Sequence, residues 1–162
     1  MSNTQVLVLV LIGLTILFIH GQSLNIGEKS SQISANVLKL VVRVIHPFKV
    51  KQLKQESTQQ SSYETVIREN YDRLHNVLRK VAHATEFAVL GSLLFFFLRL
   101  DDSTALTIDL VLSMGIVFLV GSVDETIQRF VPGRCCRFTD VLIDFSGGIV
   151  GIFLTLIIGA LL

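Results

Sequence analysis

The chain has 162 residues, of which 51% are hydrophobic and only 17% charged, and its mean hydropathy is +0.63. A soluble domain usually carries about 25% charged residues, so an ordinary water-soluble globule is excluded. A formal net charge of +1 gives no argument for nucleic-acid binding, and no nucleic-acid partner is expected. The apolar residues come in long blocks, which suits segments buried in lipid better than one alternating core. One domain spanning residues 1–162 is expected at this length. The expected fold class is an all-α membrane protein: a bundle of about four transmembrane helices, with amphipathic interfacial helices in the first loop.

The first apolar block predicts a helix over about 5–20. No Lys or Arg precedes it, and His20-Gly21-Gln22-Ser23 follows in place of a small-residue cleavage site, so it reads as a retained span and not as a signal peptide. It is short, about 14 to 16 residues against the usual 20, and would have to thin the bilayer or end in a protein-lined recess. A long polar connection follows over 21–80. Within it Ile33, Val37, Leu40, Val41 and Val44 recur at helical spacing, with Lys39 and Arg43 on the other side, which predicts an amphipathic interfacial helix. Residues 49–62 are rich in Lys, Gln and Ser and read as a solvated linker. Ile67, Tyr71, Leu74, Leu78 and Val81 then run without Gly or Pro into the second block, so this stretch is expected to continue as the second span, about 81–98.

Asp101-Asp102 marks a short turn, and Asp102 or Ser103 would cap the third span, about 105–123. That span passes without a break into Asp124-Glu125-Thr126-Ile127-Gln128-Arg129. Pro132-Gly133 is a turn signal. The adjacent Cys135 and Cys136 cannot staple a loop and read as ordinary thiols. The fourth span covers about 140–162. Its Gly147, Gly151, Thr155 and Gly159 fall every fourth residue, a small-residue stripe that lets a neighbouring helix approach closely. Gly147 and Gly151 are its expected packing positions.

An ionisable residue inside a membrane costs about 2.5–3.5 kcal/mol at mid-depth and usually marks function. His83 and Glu86 share a helix face at i,i+3. Asp124 with Gln128 and Asp140 with Asp144 do so at i,i+4. Counting crossings brings the start of the second span, the end of the third and the start of the fourth to one membrane face, with Arg134 in the adjoining turn. His83, Glu86, Asp124, Glu125 and Asp140 are the candidate catalytic residues, and Gln128, Arg134 and Asp144 are candidates for binding substrate or an anion. Three chemistries fit. Carboxylates with a His could bind a divalent cation, the one candidate cofactor. Glu86 or Glu125 could act as general acid or base. Arg134 could hold a phosphate, including one on a lipid. No spacing matches a fixed metal motif. Asp109 belongs at the opposite face, beside Asp101 and Asp102.

Three segments resemble the VanZ-like family of small bacterial membrane proteins. They are Arg79–Phe87 with Leu90 and Gly91, Asp124–Arg134, and Asp140–Asp144 with Gly147 and Gly151; both order and spacing match. The first helix matches less closely. The family tends to follow it with a Ser- and Gln-rich stretch, of which Gln22, Ser23, Ser30, Ser31 and Ser34 look like a degenerate version, and Gly21 stands where a Ser is common. The resemblance implies a multi-pass protein of the bacterial cytoplasmic membrane, in a family named for teicoplanin resistance and without an agreed reaction. It implies a module that alters the cell envelope or limits glycopeptide action. The partners it implies, besides the lipid bilayer, are a lipid-linked cell-wall precursor, a phospholipid or a glycopeptide. A membrane hydrolase or transferase acting on a lipid phosphate or polyprenyl-linked substrate is the alternative, and a small transporter a third. Every Lys and Arg except Arg99 lies in 21–80 or 129–137. The positive-inside rule therefore places the polar face in the cytoplasm. The family's usual charge pattern suggests the outer face, where a cell-wall target would lie.

Overall fold

A computed structural model describes residues 2–24, 60–101, 104–131 and 137–161, with side chains from residue 77 onward in the second stretch. The expected interfacial helix over 33–44, Asp102, Ser103, the Pro132-Gly133 turn, Arg134 and both cysteines lie outside the described residues. The chain divides into two compact units, Gly27–Arg79 and a second made of Met1–Ile26 with Lys80–Leu162. The apolar spans belong to the second unit, save for residues 77–79.

Four helices are present among the described residues: α1 Asn3–Ser23, α2 Gln60–Arg99, α3 Leu106–Gln128 and α4 Phe138–Leu161. Each contains a segment long and apolar enough to cross a membrane, which in α2 is Val77–Arg99. Among the described residues there is no strand.

The first span is longer than its apolar block suggests. Helix α1 has 21 residues, about 31 Å at 1.5 Å per residue, so no thinning of the bilayer is needed. Two polar ends extend it. At the start, the Ser2 hydroxyl accepts from Gln5 N–H while the Gln5 side chain accepts from Ser2 N–H, a capping box that satisfies two otherwise orphan donors. At the other end, His20, Gln22 and Ser23 stay helical because α2 and α3 supply partners for their side chains. The third helix also departs from expectation. Its N-cap is Ala105, which makes no side-chain cap. The helix instead runs on through Asp124 to Gln128, absorbing the polar stretch at its end.

Inside the bundle, Val8, Ile12 and Ile19 of α1 form one apolar cluster with Phe87, Leu90 and Leu94 of α2 and Val117 of α3. The other faces of α1 expose Leu7, Leu14, Leu17 and Phe18. Such exposure suits lipid, which is as apolar as these side chains and leaves helix association to close packing and interhelical hydrogen bonds.

The tightest approach is between α2 and α4. A Cβ added at Gly147 would collide with the Ala84 carbonyl, one at Gly151 with the Ala88 carbonyl, and one at Gly91 with the Gly148 carbonyl. Gly148 itself leaves room for Val117 of α3. Ser92 Oγ donates to the Gly151 carbonyl across this seam at 3.0 Å. The small-residue stripe thus meets a second one on α2, Ala84, Ala88 and Gly91. It stops short of its last expected member, because Gly159 has open space around it at the lipid-exposed end of α4.

Candidate functional site

The seam between α2 and α4 and the apolar cluster hold one end of each helix at the same level. There the polar residues meet. From α1, Gln22 Nε2 donates to Glu86 Oε1 of α2 at 2.9 Å, and the Ser23 hydroxyl donates to Asp124 Oδ2 of α3 at 2.7 Å. His20 Nδ1 lies 3.3 Å from Asp124 Oδ1. Within α3, Gln128 Nε2 donates to Asp124 Oδ2 at 2.9 Å. From α2, Lys80 Nζ reaches Asp140 Oδ1 of α4 at 2.8 Å, and His83 Nδ1 faces Glu86 Oε2 of the same helix at 3.6 Å. Glu125 Oε1 accepts the main-chain N–H of Arg137 at 2.6 Å, just before α4 begins. Every helix contributes, and four of these contacts join different helices.

The cluster has a floor and a rim. Asp124 is 0% exposed, Glu125 2%, Asp144 3% and Gln128 7%. The Glu86 and Asp140 side chains are each 17% exposed and that of Lys80 35%, so the rim opens outward. Asp144 sits on α4 against Gly121, one turn before Asp124 on α3; a Cβ added at Gly121 would lie 3.6 Å from Asp144 Cβ. It is within electrostatic reach of Asp124, Glu125, Asp140 and Glu86.

Of the residues singled out from sequence, His83, Glu86, Asp124, Glu125, Gln128, Asp140 and Asp144 lie in this region, and Arg134 is outside the described residues. Their individual geometries separate roles. Asp124 is closed from solvent and held by Ser23 and Gln128 while facing His20, an arrangement suited to orienting other groups. Glu125 ties the approach to α4 and places negative charge near that helix's N-terminus, where the helix dipole favours it. Glu86 and Asp140 are the carboxylates a ligand could reach. Among the described residues, no three His, Cys, Asp or Glu side chains are grouped as metal ligands.

The residues that sequence reasoning did not assign to this region are His20, Gln22, Ser23 and Lys80. A signal was present: His20-Gly21-Gln22-Ser23 is the polar stretch bordering the first apolar block on its C-terminal side, and the crossing count already brought that end to the same face.

Asp109 is different. It is fully buried near the other end of α3, where the Thr104 hydroxyl donates to its Oδ1 at 2.6 Å and Arg99 Nη1 to its Oδ2 at 3.3 Å.

Four apolar spans enclosing a shared apolar cluster, with polar side chains gathered at one end, define a multi-pass helical membrane protein. The chain belongs to the VanZ/LLP1 family, whose model matches residues 5–159, nearly the whole chain. No curated protein and no solved structure matches it.

Proposed function

We propose that the protein acts at the surface of the bacterial cytoplasmic membrane, where its polar end engages an envelope component and so limits glycopeptide action. The observation that carries this reading is the joining of all four helices by polar contacts at one end. Polar groups in a membrane protein need only one partner each to be satisfied. Here Asp144 is buried among other carboxylates and has no such partner among the described residues, and a buried charge left so is costly unless it is used. The ligand would be a lipid headgroup or a lipid-linked cell-wall precursor, reached from the outer face.

The second reading, a hydrolase or transferase on a lipid substrate, draws on the two imidazole–carboxylate pairs, His20 with Asp124 and His83 with Glu86. A carboxylate beside Nδ1 fixes the tautomer and leaves Nε2 for proton transfer. Transport has less support. A translocation path needs polar groups at mid-membrane, and the buried residues between the two ends include Phe87, Leu90, Val117 and Ile152.

The test is drug susceptibility in a strain whose response depends on this protein, with membrane levels measured by blot. Glu86→Gln, Asp124→Asn and Asp140→Asn should each abolish the difference while the protein still accumulates. Asp101→Asn, at an exposed residue of the opposite end, should leave it intact. Full activity in all three site variants would overturn the reading. Incubation of the purified protein with lipid extracts, wild type against Glu86→Gln, separates the two: product formation lost in the variant favours the enzyme.

A further inference from the structure

One carboxylate at the polar end indicates what it would hold. Glu86, Asp124, Glu125, Asp140 and Asp144 are five carboxylates. Among the described residues, Lys80 pairs with Asp140, and the imidazoles of His20 and His83 face Asp124 and Glu86. Four of the carboxylates have a partner: Asp140 has Lys80, Asp124 has Ser23 and Gln128, Glu86 has Gln22, and Glu125 has the Arg137 N–H. Asp144 does not. It is 3% exposed, makes no hydrogen bond or ion pair among the described residues, and lies within electrostatic reach of the other four. A buried carboxylate without a partner is costly, and more so among like charges.

We propose that this end of the bundle binds a primary ammonium group, with Asp144 at the floor and Glu86 and Asp140 at the rim accepting its N–H bonds. The inference rests on the reading of this end as a ligand site and names the ligand's chemistry. An ammonium fits better than a metal ion. A divalent cation needs several oxygens converging at roughly 2.0–2.6 Å, and the described carboxylates are not grouped as metal ligands. An ammonium needs acceptors at about 2.7–2.9 Å in three directions and tolerates a wider cage. Lys80 shows the mode on the same rim, its Nζ 2.8 Å from Asp140. Two sources carry such a group to a membrane surface: an aminophospholipid headgroup and a soluble amine.

The full chain is reconstituted in phosphatidylcholine nanodiscs, whose quaternary ammonium has no N–H to donate. One arm replaces part of the lipid by phosphatidylethanolamine, a second adds soluble ethanolamine, and a third adds Mg²⁺ or Mn²⁺. Thermal unfolding is followed by circular dichroism, and retained lipid by native mass spectrometry. Phosphatidylethanolamine is expected to raise the unfolding midpoint and to remain bound, and Asp144→Asn and Asp140→Asn are each expected to remove both effects while Asp101→Asn keeps them. The same residue-dependent rise with ethanolamine alone assigns the soluble source and supports the proposal equally. The proposal is overturned if neither amine raises the midpoint of the wild type. It is overturned also if Asp144→Asn and Asp140→Asn both keep the response, or if a divalent cation alone gives the residue-dependent rise. A failure here alongside lost drug response in the site variants would leave the proposed function standing and remove only the amine.

Discussion

Helix α3 carries a fully buried carboxylate near each end, and the two are satisfied in opposite ways. Asp109 is closed by Arg99, the last residue of α2, and by Thr104 in the turn before α3, ten and five residues away in sequence. Asp124, about four turns further on, is held by Ser23, 101 residues away, and faces His20. The first arrangement is a local lock that completes itself. The second is assembled from distant helices and adjoins Asp144, a carboxylate with no partner of its own among the described residues. A buried charge that finds its counter-charge close by in sequence needs no further explanation than packing. A buried carboxylate left without a partner among the described residues is a candidate for function, since such strain persists where it serves a site.

The largest effect should come from breaking the seam that both ends share. Gly151→Leu would drive a side chain into the Ala88 backbone and should cost about 3 kcal/mol or more, lowering the detergent melting temperature sharply and disabling both ends together. Next is the local lock. Asp109→Ala leaves Arg99 and Thr104 without their acceptor and should cost about 1–3 kcal/mol, yet the activity per folded molecule should be kept. Loss of activity without loss of stability would erase the distinction between the two ends. Ser23→Ala removes one hydrogen bond to Asp124 and should cost about 1 kcal/mol, with activity reduced but not abolished, because Gln128 still holds the carboxylate. Asp144→Asn should have no stability cost, or raise the melting temperature by relieving repulsion among carboxylates, while activity is lost. A clear drop in melting temperature would make Asp144 a structural residue like Asp109. The smallest effect belongs to Val150→Leu, at a lipid-exposed position beside the seam, where melting should be unchanged.

Much of this architecture is legible in the sequence because membrane spans announce themselves by uninterrupted apolar length. The four spans, the run-through of α2 from its polar stretch, and the level at which the acids of α2, α3 and α4 lie follow from block boundaries and a crossing count. The ends of α1 do not, because hydropathy marks where apolar residues stop and not where helical hydrogen bonding does; Ser2 and Gln5 extend the helix at one end and His20 to Ser23 at the other. The role of Ser23 and Gln22 was hidden for a related reason. Short polar residues after a span look like the start of a loop until a partner on another helix is seen. Gly147 and Gly151 could be read from their spacing, but their counterparts Ala84, Ala88 and Gly91 could not, since alanines in a membrane helix carry no signal until the facing backbone is known. Asp109 illustrates the converse: its distance from the other acids was legible, its burial and its pairing with Arg99 were not.

The central claim is that the polar end works as one unit, and its most direct test is drug susceptibility of the double variant Glu86→Gln with Asp124→Asn, compared with each single variant at equal membrane levels. Groups that act together lose function non-additively, so that removing a second adds little once the first is gone. The expected result is that each single variant abolishes the response and the double is no worse than either. Single variants that retain the wild-type response, or partial losses that simply add in the double, would contradict it and reduce the cluster to polar contacts that hold helices together.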